Sequence, residues 1–300
     1  MNVFVTGGSG FVGSHLIPFL LSRGHRVLGS GTSKTSSLGE REGFTYISAD
    51  TTRPGDWQEA LSSVDAVINL AGRSIFQTWN EATKKSIYDS RILTTRNLVQ
   101  GLAPDRDVAF INTSAVGYYG DRGEEVLSEA ADPAADFLAT VCRDWEAEAR
   151  KAEAKGARVA VMRFGIVLHA GGGALAKMLP AYKFGLGGPL GSGRQWFPWI
   201  HLQDLMAAAV FLLEHQDLTG PFNFCAPQTV RQRDFAKTLG KILGRPAFLK
   251  APTPVLRLAL GELGRALLSS QKAQPDKLLK SGFTFQFPEL ESALTNCLTV

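Results

Sequence analysis

The first thirteen residues limit what this chain can fold into more than any other stretch. An apolar run, Val3-Phe4-Val5, leads straight into Thr6-Gly7-Gly8-Ser9-Gly10-Phe11-Val12-Gly13. The glycines satisfy GxGxxG counted from Gly8 and GxxGxxG counted from Gly7. A helical stretch from about Gly13 to Arg23 follows and stops at Gly24. Strand, glycine turn and helix in this order make an anion cradle. Missing side chains let the backbone approach a diphosphate, and the helix start offers unpaired N–H groups and the positive end of a dipole. Gly7, Gly10, Phe11, Val12 and Gly13 are the expected contacts of a dinucleotide.

Strands continue to alternate with helices. Short β-type runs fall at 26–28, 45–47, 66–70, 108–112 and 158–164, with helical runs at 56–61, 80–101 and 136–154. In the last of these, Phe137, Val141, Trp145 and Ala149 recur every four residues, which marks one buried face. Such alternation predicts an α/β fold, a doubly wound parallel sheet of the Rossmann type. Past Gly165 the texture changes. Gly171-Gly172-Gly173 and the stretch 185–193 read as glycine-rich loop, and a final strand is expected at 222–225. The expected organisation is a nucleotide-binding domain over 1–225, with the 168–200 loop joining a smaller, interleaved substrate lobe, and a small C-terminal domain over 246–297.

Composition removes several classes. Hydrophobic residues make up 44% of the 300, too many for a disordered chain. The 32 basic and 28 acidic residues are spread along the chain, with no cluster to grip a phosphate backbone, so nucleic acid is not an expected partner. The longest apolar run, Leu205 to Leu213, is far below the ~18 residues of a membrane span. Cys142, Cys225 and Cys297 lie far apart, which fits free thiols in a reducing compartment and no metal site. With no leader-like opening either, a cytoplasmic location is expected.

The second strand's end selects among dinucleotides. A carboxylate about 20 residues beyond the glycines would accept the ribose 2′-hydroxyl of NAD. Here the chain reads Gly29-Ser30-Gly31-Thr32-Ser33-Lys34, with no acidic residue before Glu40. Ser30, Thr32 and Lys34 suit a 2′-phosphate, so NADP (NADPH over NADH) is the expected cofactor. Asp50, after the third strand, can accept from the adenine amino group, and Leu70, Ala71 and Gly72, after the fourth, can line the nicotinamide-side ribose. Both lie where ligands of such sheets bind, beyond the carboxyl ends of strands.

TGGSGFVG at 6–13, Asp50, NLAG at 69–72 and NTSAVGYYGD at 112–121 resemble the extended or atypical short-chain dehydrogenase/reductase superfamily. RFGIVL at 163–168, the segment 185–205 and the tail 261–290 resemble its nucleoside-diphosphate-sugar epimerase-like branch, which carries a C-terminal domain of unknown function. The resemblance implies hydride transfer by a Ser or Thr hydroxyl, a Tyr acid/base, and a Lys four residues after it that lowers the tyrosine's pKa. Ser114 fits the hydroxyl. The Tyr–Lys pair is missing: Leu138 and Cys142 align with it, and no tyrosine here has a lysine four residues on. Tyr119, or Tyr118 beside it, is the substitute proton donor. Arg91 stands where relatives often carry an asparagine of the proton relay.

On the substrate side, Arg194, Trp196 and His201 cluster with Gln195, Phe197 and Trp199 behind a glycine-rich loop. A cation among flat rings suits an anionic or ring-bearing ligand such as a sugar nucleotide. The same residues also suit packing: the tryptophans as anchors, His201 with Asp204 as a helix cap, and Arg163 as a buried charge. Two functions are compatible with this pattern. One is an NADP-dependent epimerase or oxidoreductase acting on a small substrate; the other is an NADP(H)-binding sensor that has lost hydride transfer. Helix-pair dimers are common in the superfamily, so a homodimer is the oligomer the resemblance allows.

Overall fold

The computed structural model describes residues 1–299. β1 (Asn2–Thr6) and α1 (Phe11–Ser22) open the chain, followed by β2 (Arg26–Gly31), β3 (Phe44–Ser48), β4 (Ala66–Asn69) and α2 (Glu81–Gly101). Then come β5 (Ala109–Ala115), β6 (Val126–Leu127), α3 (Phe137–Arg150), β7 (Arg158–Phe164), β8 (Ile166–Leu168) and α4 (Gly173–Lys183). β9 (Trp196–Phe197), β10 (Trp199–His201), α5 (Leu202–Glu214), β11 (Gly220–Phe224), β12 (Val230–Arg231) and α6 (Gln232–Ile242) follow. α7 (Thr253–Ala266), β13 (Lys272–Ala273), α8 (Asp276–Lys280) and α9 (Leu290–Thr299) complete the order.

Seven strands form one parallel sheet in the order β11-β7-β5-β4-β1-β2-β3. The period-2 alternation of strand side chains explains why both faces are covered. From β1, Val3 and Val5 enter a core shared with α1 and α5, while Phe4 enters the opposite core with Trp57 and Leu98. β4, β5 and β7 split in the same way: Ile68, Ile111 and Met162 face α5, and Val67, Phe110 and Val161 face away from it. Each such fully buried side chain contributes about 1.5–3 kcal/mol. Strand order reverses between β1 and β4, which places a crevice at their carboxyl ends.

Two expectations change. The fifth strand extends three residues past Asn112, so Ser114 lies inside β5 rather than after it. The glycine run at 171–173 starts a helix, α4, because Leu175, Leu179 and Tyr182 make a buried stripe at three- and four-residue spacing. That stripe packs with Phe235 and Leu239 of α6 and Leu290 and Leu294 of α9 in a third core. Three two-stranded sheets, β8 with β10, β9 with β12 and β6 with β13, stand apart from the large sheet. Their partners are too far apart in the chain for local pattern to reveal.

Candidate functional site

The glycine turn is built as a cradle. Gly10 N donates to Gly7 O at 2.9 Å, and Gly8 N donates to Ser30 O at 2.8 Å, which pins the turn between β1 and β2. Gly7 sits at φ 66°, and a Cβ there would lie 2.9 Å from Leu70 O. A Cβ on Gly13 would overlap the Gly7 carbonyl oxygen. Only glycine fits either position. Gly10 caps α1 without a side-chain hydrogen bond, so the N–H groups of Phe11, Val12 and Gly13 face out with no intrahelical acceptor. That donor set fits a diphosphate.

A buried polar ladder holds the other wall. Thr6 Oγ1 donates to Asn69 Oδ1 at 2.6 Å, and Asn69 Nδ2 donates to Asn112 Oδ1 at 2.7 Å and Thr95 Oγ1 at 2.9 Å. Trp145 Nε1 also donates to Thr95 Oγ1, at 2.8 Å. Thr6 Oγ1 accepts from Leu70 N and Ala71 N, both at 3.2 Å, which fixes the loop that runs through Gly72. The sequence marks residues 69–72 and puts Trp145 on a buried helix face, but Thr95 Oγ1 and Trp145 Nε1 meet the ladder only in three dimensions.

At the end of β2 the expectation needs one correction. Ser30 is fully buried, and its Oγ has no partner among the described residues, so it is not a surface hydroxyl. Thr32, Ser33 and Lys34 are exposed there. Asp50 Oδ1 accepts from Thr52 N (3.1 Å) and Thr52 Oγ1 (2.6 Å) in an Asx turn, and its Oδ2 stands 3.8 Å from Arg53 Nε.

Behind β5 lies a charged network that the sequence did not announce. Ser114 Oγ donates to Glu146 Oε1 at 2.7 Å. Arg163 grips the same carboxylate with two hydrogen bonds of 2.8 Å, and both side chains are 2% exposed. Arg163 Nη1 also donates to Tyr119 Oη at 2.9 Å and to Glu129 O at 3.1 Å. Tyr119 in turn donates to Asn223 Oδ1 at 2.7 Å. Tyr119 is therefore corrected from proton donor to structural post: it is fully buried, its hydroxyl is used twice, and burial pushes its pKa up to about 12. Tyr118 is half-buried, with Arg163 3.7 Å from its ring centre, and its hydroxyl has no hydrogen bond among the described residues. Cys142 is buried, and desolvation with the neighbouring Glu146 charge raises its thiol to about 11. Leu138 packs by Gly117.

Substrate-side expectations divide. Arg194 is exposed. Trp196 is corrected to an anchor: Arg231 lies 3.8 Å and Lys272 4.6 Å from its ring centre, and its Nε1 donates to Glu124 Oε2 at 3.1 Å. His201 is likewise a cap. It is 1% exposed, its Nδ1 accepts from Gln203 N at 3.2 Å, and its ring lies 4.1 Å from that of Phe287. Desolvation by burial lowers its pKa to about 4, so it is neutral at pH 7. Asp204 secures the C-terminal segment by accepting from Gln286 N (2.7 Å) and Phe287 N (2.9 Å). The His201 cap lies within two residues and agrees with the capping alternative read from the sequence, whereas Glu124, Arg231, Lys272 and Phe287 lie 35 to 86 positions from the side chains they hold, beyond the reach of local pattern.

Known proteins share this fold. Residues 3–225 match the NAD dependent epimerase/dehydratase family, and residues 251–297 match a domain of unknown function, DUF1731. The chain is 38% identical to the epimerase family protein YfhF of Bacillus subtilis, over 99% of this chain and 98% of that protein. It is 38% identical to a chloroplastic SDR39U1 homologue of Arabidopsis thaliana, over 98% and 86%. The crystal structure of human epimerase family protein SDR39U1 with NADPH superposes with a TM-score of 0.88 at 34% identity, covering 100% of both chains. UDP-glucuronic acid 4-epimerase of Bacillus cereus shares the fold at 19% identity, with a TM-score of 0.79 over 100% of this chain and 99% of that one. With a glycine turn at the switch point of a parallel sheet and a match along nearly its whole length, the chain belongs to the NAD dependent epimerase/dehydratase family.

Proposed function

We propose that the chain binds NADPH in preference to NADH and transfers a hydride to a small carbonyl or sugar-nucleotide substrate, in a reducing, cytoplasmic setting. The observation that carries this reading is the cradle at Gly7–Gly13, beside exposed Thr32, Ser33 and Lys34 with no carboxylate before Glu40. The human relative crystallised with NADPH supports it. Three free, buried cysteines accord with the reducing setting.

The reduced nicotinamide, when bound, supplies the hydride. The chain's own residues do the rest. N–H groups at the start of α1 hold the diphosphate, and Thr32 and Lys34 take the 2′-phosphate. Tyr118 has the hydroxyl left to donate a proton, with a guanidinium against its ring face. Lys34→Ala tests the cofactor reading. NADPH affinity should fall about tenfold with NADH affinity unchanged; equal loss for both, or tighter binding of NADH by the wild type, overturns it. NADPH oxidation across carbonyl and sugar-nucleotide panels, with Tyr118→Phe as the comparison, tests the chemistry.

A second reading is an NADP(H)-binding sensor without hydride transfer. It is favoured by the engaged hydroxyls of Ser114 and Tyr119 and by Leu138 and Cys142 in place of Tyr and Lys. Tight NADPH binding with no oxidation by any panel member would select it.

A further inference from the structure

The lobe around α4 and α7 turns apolar side chains to solvent. Six of the ten exposed large apolar side chains among the described residues fall between residues 184 and 258. Leu258 is 91% exposed, Phe184 81%, Phe248 71%, Leu186 63% and Val255 56%. They lie on neighbouring stretches of chain. Leu249 N donates to Gly187 O at 3.3 Å and Ala251 N to Pro189 O at 2.9 Å, so the segment after α4 runs beside the segment before α7. A Cβ on Gly191 would lie 2.8 Å from Thr253 Oγ1, which sets the start of α7 against the same loop.

α7 is apolar on two sides. Leu263 is buried, and Leu256 and Leu260 are half-buried beside it at three- and four-residue spacing. Val255 and Leu258, three residues apart, stand in solvent. A surface helix carries polar side chains on such a face, whereas a helix apolar all round belongs in a core or a lipid layer. An exposed apolar patch of this kind marks an interaction surface.

Charge decides what covers it. No acidic residue occurs between Glu153 and Asp204, or between Asp234 and Glu262. Lys183, Arg245 and Lys250 flank the apolar side chains in the same two segments, are exposed, and pair with no carboxylate among the described residues. Glu262, in the second half of α7, is taken by Lys84 of α2 at 2.6 Å. A second copy of this chain would bring like charges face to face. Anionic phospholipid headgroups above an acyl layer match both the cations and the apolar side chains. No helix among the described residues is long and apolar enough to cross a membrane, so the contact is with its surface.

We propose that the end of α4, the 246–251 segment and the start of α7 form a face that docks peripherally on an anionic phospholipid bilayer. The apolar side chains enter the headgroup region and the three cations meet the phosphates. The docking is independent of the NADPH reading above.

The intact protein is sedimented with phosphatidylcholine vesicles, with and without phosphatidylglycerol, at low and high salt. The wild type should bind the anionic vesicles at least about tenfold more tightly than the neutral ones, and less at high salt. Phe248→Asp with Leu258→Asp should lower that binding about tenfold, and so should Lys183→Gln with Arg245→Gln and Lys250→Gln. Leu279→Asp, on α8 and outside the face, should bind as the wild type does. All these side chains are exposed, so thermal melts should match; should the double variant unfold, Leu258→Asp alone decides.

No binding to anionic vesicles, equal binding to both kinds, or full binding by either variant set overturns the proposal, as does an equal loss in Leu279→Asp. A wild-type dimer in ultracentrifugation that the double Asp variant splits makes the face an interface between copies and overturns it too.

Discussion

Ser114 and Glu146 join the end of a central strand to the middle of α3 through a single buried hydrogen bond of 2.7 Å. The carboxylate on the receiving side is also the one that neutralises Arg163, so three side chains share one charge balance. The hydroxyl that the family resemblance assigns to substrate is thus already donating to the protein. It keeps lone pairs with which to accept.

Glu146→Ala should destabilise the fold by about 3–5 kcal/mol, because Arg163 would remain buried with its charge uncompensated. Glu146→Gln, which keeps the shape and one acceptor, should cost less. Urea unfolding of the two variants checks this; equal stability of Glu146→Ala and wild type would show that water reaches Arg163.

Gly13→Ala should abolish NADPH binding while the protein still folds. The added methyl would overlap the Gly7 carbonyl oxygen and force α1 away from the turn. Overpacking of this kind costs about 1–3 kcal/mol, which a chain of this size tolerates. Fluorescence titration with NADPH, alongside a thermal melt, reports both effects.

His201 makes stability depend on pH. Its pKa is about 4 in the fold and near 6.5 unfolded, so between those values the unfolded chain binds the extra proton. Stability is therefore full above about pH 6.5 and falls as pH drops toward 4, by about 3 kcal/mol for this group. His25 and His169 are lowered by the same burial and add to the slope. His201→Asn keeps a capping acceptor but cannot titrate, so its unfolding free energy should vary less with pH across that window.

Cys142, Cys225 and Cys297 should resist iodoacetamide at pH 7.5 in the native protein and react fully in guanidinium. Burial raises all three thiols, Cys142 to about 11 and Cys297 to about 12, so almost no thiolate is available. Rapid labelling of Cys142 would instead mark it as a reactive group.

How far the sequence could be read follows from the range of the forces involved. The glycine turn, the parallel sheet and the family resemblance were legible because each rests on residues close together: the 6–13 run, strands of one texture, contiguous motifs. That no tyrosine has a lysine four residues on was legible for the same reason, since that spacing is local. Residue type alone could not say which side chains reach the site. Tyr119, Trp196 and His201 have the chemistry of ligand contacts, yet Asn223, Arg231 and Phe287 claim them across long stretches of chain.

Arg91 shows the converse. In sequence it is a departure from the relay pattern; in three dimensions its guanidinium faces Gly72, and no carboxylate pairs with it among the described residues. The amino-acid order by itself determined the cradle and the sheet, because backbone sterics and side-chain periodicity act over a few residues. Burial and charge pairing are set by partners tens to a hundred residues away, so only the tertiary structure decided which polar groups are spent inside the fold and which remain for a ligand.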